Sequence, residues 1–180
     1  MINTAIYRSN FLTSIGHIYY IWGNYCPEDG NINSTSDVFV YFLSNSRKSF
    51  DAYIEKIRVK FPELVILEKG SKVIESEVKS YLEKKLKDFS IEPAFLSCSL
   101  LQRKIWETTM RIPYGKVASY KELAESAGYP NAWRAAGNAI SKNPVMIVVP
   151  CHRIIKSDGS IGLYGGGEKV KEFLLDLEQD

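Results

Sequence analysis

At 180 residues, with 45% apolar and 24% charged side chains, the chain describes a soluble globular protein with enough length to bury one core or two small ones. No apolar stretch approaches a bilayer span and Met1-Ile2-Asn3-Thr4 opens no secretory leader, so membrane insertion and secretion are not expected. The net charge of +2 hides a division: nine Lys or Arg stand against three acids between residues 100 and 156, and two against six between 157 and 180. That local excess fits a confined polyanion-binding face, or simply a solvated surface. Three widely spaced cysteines, Cys26, Cys98 and Cys151, argue against a disulfide framework and for a reducing compartment: the cytoplasm, or the nucleus in a eukaryote. With only His17 and His152 and no Cys-x-x-Cys, neither a metal nor a cofactor is expected.

In chain order, residues 5–7, 16–22 and 38–43 are apolar and aromatic runs of strand type, separated by Asn, Ser, Asp and Gly. Residues 46–61 follow helical spacing through Phe50, Ile54 and Ile57, and 64–67 suits another short strand. Residues 71–89 predict an amphipathic helix, with Ile74, Val78, Leu82 and Leu86 every fourth position. His17, between strand residues, reads as structural. Residues 1–90 thus form an α/β unit without a chemical motif, and Ser90-Ile91-Glu92-Pro93 marks the boundary with a second domain, 91–180.

The second half opens with a helix over 100–110, broken at Pro113-Tyr114-Gly115. Ser119-Tyr120-Lys121-Glu122 has the Ser-x-x-Glu form of a capping box, which satisfies the free amides at a helix start. That helix runs to Ala127, with Gly128 as its C-terminal cap. Asn131 caps a further helix, from Ala132 to about Lys142. Two short helices with a Gly-containing connection suit a helix-turn-helix, or a pair packed in a core. Arg134 in the first turn opposes the helix dipole, so local stability does not explain it. Ala135, Ala136, Gly137 and Ala139 leave a slim surface beside it.

Met146 to Val149 reads as a short buried strand stopped by Pro150, which places Cys151 where a core element ends and a loop begins. His152 follows directly. A neighbouring imidazole favours a reactive thiolate; the alternative is an ordinary buried thiol beside a satisfied histidine.

Ile112-Pro113-Tyr114-Gly115, Ser119-Tyr120, Arg134-Ala135-Ala136-Gly137, Asn143-Pro144, Pro150-Cys151-His152-Arg153, Tyr164-Gly165-Gly166-Gly167 and Leu174-Leu175 with Glu178 form an ordered series. Over residues 99–178 it resembles the O6-alkylguanine-DNA alkyltransferase family of suicide DNA repair proteins. The resemblance implies an α/β N-terminal domain, a small antiparallel sheet with helices. It implies a mainly α C-terminal domain of helix-turn-helix, winged-helix-like type. It also implies a monomer without cofactor that binds double-stranded DNA through the minor groove and flips the alkylated base. Cys151 would accept the alkyl group, with His152 polarising it through a water and Glu178 orienting the imidazole. Asn143 would brace the turn that aims Cys151, and Tyr120 would donate its phenolic proton toward the guanine ring. Arg134 would replace the extruded nucleotide, with Ser119, Tyr120, Lys121, Ala135 and Gly137 along the DNA-facing surface. Tyr164, Gly165, Gly166, Ile154 and Met146 would line the base pocket, Met146 standing where the family commonly has proline.

Three readings compete: alkyl transfer from duplex DNA to Cys151, a binding protein without chemistry, and a Cys-His hydrolase. A cysteine where non-catalytic relatives carry tryptophan argues against the second. Consecutive nucleophile and base argue against the third.

Overall fold

The computed structural model of the protein describes residues 5–24 and 38–179, which leaves Cys26 outside the described residues. The chain divides into two compact units, Met1–Leu96 and Ser97–Asp180.

The first unit is built on a five-stranded sheet: β1 (Ala5–Thr13), β2 (Gly16–Gly23), β3 (Phe39–Ser44), β4 (Val65–Glu68) and β5 (Glu92–Pro93). The strand order is β4-β1-β2-β3-β5. β1 and β2 form an antiparallel hairpin with Tyr7 opposite Trp22, and β3 adds antiparallel to β2. The edge strands break the expected antiparallel pattern: β4 runs parallel to β1 and β5 parallel to β3, so the sheet is mixed. The reason lies in the connections. Helices α1 (Arg47–Lys60) and α2 (Lys72–Leu82) carry the chain from β3 to β4 and from β4 to β5, and a crossover through a helix returns parallel. Alternate apolar residues of the sheet meet Phe50, Ile54 and Ile57 of α1 in one core with Ile6, Ile21, Phe39, Tyr41 and Phe42.

α2 ends well before the expected Phe89. Lys84 enters the left-handed region (φ 60) and the Lys85 amide bonds back to Ser80, a closure that stops a helix. The chain folds back so that Phe89 packs on Tyr81, and Glu77 takes the amides of Ser90 and Ile91. The expected boundary segment is therefore part of this unit: Glu92 and Pro93 pair with β3, and the division falls after Leu96.

The second unit comprises α3 (Leu100–Met110), β6 (Ala118–Ser119), α4 (Tyr120–Ser126), α5 (Trp133–Ile140), a single 3-10 turn (Cys151–Arg153), β7 (Ile154–Ile155) and α6 (Glu168–Leu177). Capping boxes start α3 (Ser99 with Gln102) and α4 (Ser119 with Glu122). Gly128, just past the end of α4, has φ +84, as an αL cap requires. Asn131 does not cap α5. It sits at φ 65, Ala132 holds the cap position, and no side chain bonds to the first turn. Ile105 and Trp106 of α3, Leu123 and Ala124 of α4, and Ala136, Ala139 and Ile140 of α5 form the buried core. Trp106 Nε1 donates to the Ala139 carbonyl at 3.0 Å and ties α3 to α5. Among the described residues, no helix is long and apolar enough to cross a membrane.

Candidate active site

Val145, Met146, Ile147 and Val149 are buried, as the composition predicts, but the run is a tight turn and not a strand. The Val149 amide bonds back to the Val145 carbonyl (2.9 Å) and the Val148 amide to Met146 (2.9 Å). Ile147 sits at φ 72, which a β-branched residue rarely adopts and which costs about 1–3 kcal/mol. Asn143 holds this shape from inside. Its Oδ1 accepts the Val145 amide (3.0 Å), and its Nδ2 donates to the Val149 carbonyl (2.9 Å) and to Cys151 Sγ (3.0 Å). One short polar side chain both closes the turn and contacts the sulfur. Periodicity alone could not separate turn from strand in so short an apolar run.

Cys151 opens the 3-10 turn after Pro150. Burial pushes its thiol up from the ordinary value, against hydrogen bonds with Asn143 and Tyr164 and the positive charge of Lys171, all of which pull it down. His152 is fully buried, with Nε2 2.9 Å from Glu178 Oε1. A carboxylate only accepts, so this contact fixes the proton on Nε2 and leaves Nδ1 as the acceptor. Burial drives the imidazole below its ordinary pKa, against the Glu178 carboxylate, so the ring is neutral near neutral pH.

Glu178, taken by itself, looks like a surface carboxylate close to Asp180; it is 4% exposed and caps the end of α6. Its partner of opposite charge is Arg153. The Arg153 guanidinium meets both carboxylate oxygens through Nε (2.9 and 3.1 Å) and Nη2 (2.8 Å), and its Nη1 donates to the Ile112 carbonyl (2.6 Å). The Gly115 amide adds a bond to Oε2 at 3.1 Å, and the Tyr114 hydroxyl donates to the Leu177 carbonyl at 3.1 Å. Gly115 has φ +71, and a Cβ there would lie 2.8 Å from the Glu178 carbonyl oxygen, so only glycine fits. Pro113-Tyr114-Gly115, legible in sequence only as a helix break, is the cradle for the end of α6.

β6 pairs parallel with β7, Ser119 opposite Ile155. This short ladder brings the start of α4 alongside the Cys151 turn. Tyr120 is half-buried between two glycines: a Cβ on Gly137 would stand 3.4 Å from its ring, and one on Gly162 3.3 Å from its hydroxyl. Its phenol is raised above the ordinary value by burial first and by the charge of Cys151 second. Met146 is 5% exposed, and the Ile154 carbonyl accepts from Lys171 Nζ. Tyr164 and Gly166 are half-buried and Gly165 is exposed. On the outer face, Arg134, Ala135 and Lys121 are exposed, and the Arg134 guanidinium lies 5.9 Å from the Trp133 ring centroid.

Two residues escaped the sequence reading. Arg153 stood in the quoted motif without a role. Lys171 is 1% exposed and donates to the carbonyls of Ile154 and Ile161; burial lowers its pKa to about 8. Its signal was available: position 171 falls on the buried stripe of α6 with Leu174 and Leu177, where a lysine demands an internal partner. Among the described residues, no group of three or more His, Cys, Asp or Glu could hold a metal ion.

The fold and this site define a class. A family profile described as "6-O-methylguanine DNA methyltransferase, DNA binding domain" matches residues 100–180. Over its whole length the chain resembles the crystal structure of Mycobacterium tuberculosis O6-methylguanine methyltransferase (TM-score 0.75, 25% identity, 97% of this chain and 93% of that one). The same protein's complex with DNA matches at TM-score 0.71 and 26% identity, over 97% of this chain and 92% of that one. A Bacillus subtilis relative, the inducible methylated-DNA–protein-cysteine methyltransferase, is 38% identical over 140 residues, 77% of this chain and 78% of the relative. The Methanosarcina barkeri protein of that name is 41% identical over 104 residues, 58% of this chain and 65% of that protein. The chain belongs to the methylated-DNA–protein-cysteine methyltransferase family.

Proposed function

We propose that this protein repairs DNA by moving the alkyl group of O6-alkylguanine in duplex DNA onto Cys151, once per chain. The observation that carries the reading is the contact of Asn143 with Cys151 Sγ on a turn backed by the buried His152–Glu178 pair. A thiol just past a rigid, strained turn, flanked by a neutral imidazole whose tautomer makes Nδ1 an acceptor, is arranged for nucleophilic attack.

In this mechanism the thiol proton passes toward His152 Nδ1 through a water, and the thiolate attacks the alkyl carbon. The carbon–sulfur bond forms as the carbon–O6 bond breaks, and the electron pair moves into the purine. Tyr120 supplies a proton to the purine from its position at the start of α4, so the leaving group is neutral guanine. Burial holds the Cys151 thiol protonated at rest, so the thiolate forms only with help from Asn143, Tyr164 and Lys171. Glu178 orients His152 and favours its protonated form, while the Arg153 charge beside the carboxylate opposes this, so the imidazole is not charged in advance.

On the DNA side, α4 and α5 act as a helix-turn-helix of winged-helix-like type that meets the minor groove. Arg134 enters the stack in place of the flipped nucleotide. Ser119, Lys121 and Ala135 face the backbone, and Gly137 lets Tyr120 pack close to α5. Tyr164, Gly165, Gly166, Met146 and Ile154 wall the base pocket. The protein works as a monomer without metal or cofactor, residues 97–180 carry the chemistry, and its place is the cytoplasm or nucleus.

The test is incubation with a duplex labelled on the alkyl group. Label should appear on the protein at no more than one group per chain and be absent from a Cys151→Ser variant. Label released to water would point to hydrolysis, and binding without transfer to a recognition protein.

A further inference from the structure

Trp133 is the first residue of α5 and is 44% exposed. Its position belongs to the stripe that buries Ala136 and Ile140, yet it lies past the core at the open end of the helix. Tyr129, four residues earlier, is 37% exposed. The first turn of α5 carries no acidic residue and no side-chain cap, so helix stability does not explain the aromatic–cation pair there. The Arg134 guanidinium rests 5.9 Å from the centroid of the Trp133 ring, within cation–π range. The surrounding residues, 100–156, carry nine cations against three acids, complementary to a polyanion.

We infer that Trp133 is a DNA-contacting residue that acts as a unit with Arg134. In the free protein the indole holds the guanidinium on its face and limits its conformers. On the duplex the guanidinium leaves the ring and enters the stack, and the freed indole packs its flat face on the sugar and base edges beside the lesion. A long planar cation loses rotamer entropy when it inserts; a parked, preorganised one loses less. An indole also supplies large apolar contact at little conformational cost. This inference rests on the proposed role of Arg134 in nucleotide extrusion.

Trp22 and Trp106 are 6% and 2% exposed, so Trp133 is the tryptophan whose emission a bound duplex can change. The experiment compares wild type, Trp133→Ala, Trp133→Phe and Arg134→Ala in three readouts: single-turnover repair of an O6-methylguanine duplex, transfer from free O6-benzylguanine, and tryptophan emission with its acrylamide quenching on titration with duplex. Trp133→Ala should slow duplex repair about fivefold or more, the scale of one lost aromatic stack, and leave free-base transfer unchanged. Trp133→Phe should keep most of the duplex rate. Wild-type emission should shift and become protected from acrylamide when duplex binds, while the emission of Trp133→Phe should stay constant. Equal loss on both substrates in Trp133→Ala would make the residue a structural one and overturn the inference. Emission and quenching unchanged at saturating duplex would overturn it whatever the rates. Because the emission arm needs no chemistry, it still decides the matter if wild type fails to transfer, an outcome that would count against the proposed reaction alone.

Discussion

Glu178→Gln exchanges one oxygen for an amide and removes a charge that is 4% exposed. The carboxylate accepts from His152, from Arg153 through Nε and Nη2, and from the Gly115 amide. In the variant the Arg153 guanidinium, 7% exposed, keeps only neutral acceptors, the Ile112 carbonyl and one amide oxygen, and loses its countercharge. Removing one partner of a buried pair costs about 3–5 kcal/mol, because the other charge stays behind uncompensated. For a unit the size of Ser97–Asp180, at about 4–8 °C per kcal/mol, the melting temperature should fall by about 12 °C or more. The assay is thermal unfolding followed by circular dichroism at pH 7.5, on the Glu178→Gln protein and on a double variant that adds Arg153→Leu. Taking out both charges should recover part of the loss without restoring alkyl transfer. A drop below about 4 °C, equivalent to roughly 1 kcal/mol, or a double variant as unstable as the sum of its parts, would refute the view that Glu178 compensates Arg153.

Lys171→Met should move the midpoint of Cys151 alkylation by iodoacetamide to higher pH, because the positive charge that favours the thiolate is gone. Lys171→Arg should move it less, and an unchanged midpoint would remove Lys171 from the electrostatics of the site. Folding stability should decline as pH falls below about 6.5, since the unfolded chain binds a proton on His152 there and the folded protein, with its imidazole pKa lowered, resists it. Melting scans between pH 7.5 and 5.5 should show a steeper fall for wild type than for His152→Gln. Gly115→Ala should cost about 1–3 kcal/mol, from a positive φ and a Cβ against the Glu178 carbonyl, measured by denaturant unfolding. Cys151→Ser should abolish transfer while duplex binding persists, and Cys98→Ser should retain transfer.

Helix α4 of the second unit was legible because its signals are local: the Ser-x-x-Glu cap at Ser119 and Gly128 just past its end. Crossovers decided the sheet's mixed character, and no local pattern records which side a strand returns to. The Val145–Val149 run misled for the same reason, since its conformation is dictated by Asn143, a side chain outside the run. In the site, Cys151 and His152 stood out as adjacent reactive types. Arg153 did not, because a surface cation and a buried one are the same letter until the acceptor is known; Lys171 carried a signal only in its register with Leu174 and Leu177, which names no acceptor. Glu178, Ile112 and Gly115 supply those acceptors and cradles from positions remote in sequence.

The placement of Glu178 at the end of α6 bears on how the protein is made. Chains emerge from the ribosome in order, and leading segments fold first. Cys151 and His152 therefore appear before Lys171 and Glu178, the residues that complete their surroundings. Until α6 docks on Tyr114 and Gly115, the imidazole has no fixed tautomer and the sulfur no buried cation nearby. Completion of the nucleophile thus waits on α6, and a chain not yet synthesised through α6 carries the thiol without the machinery that makes it reactive.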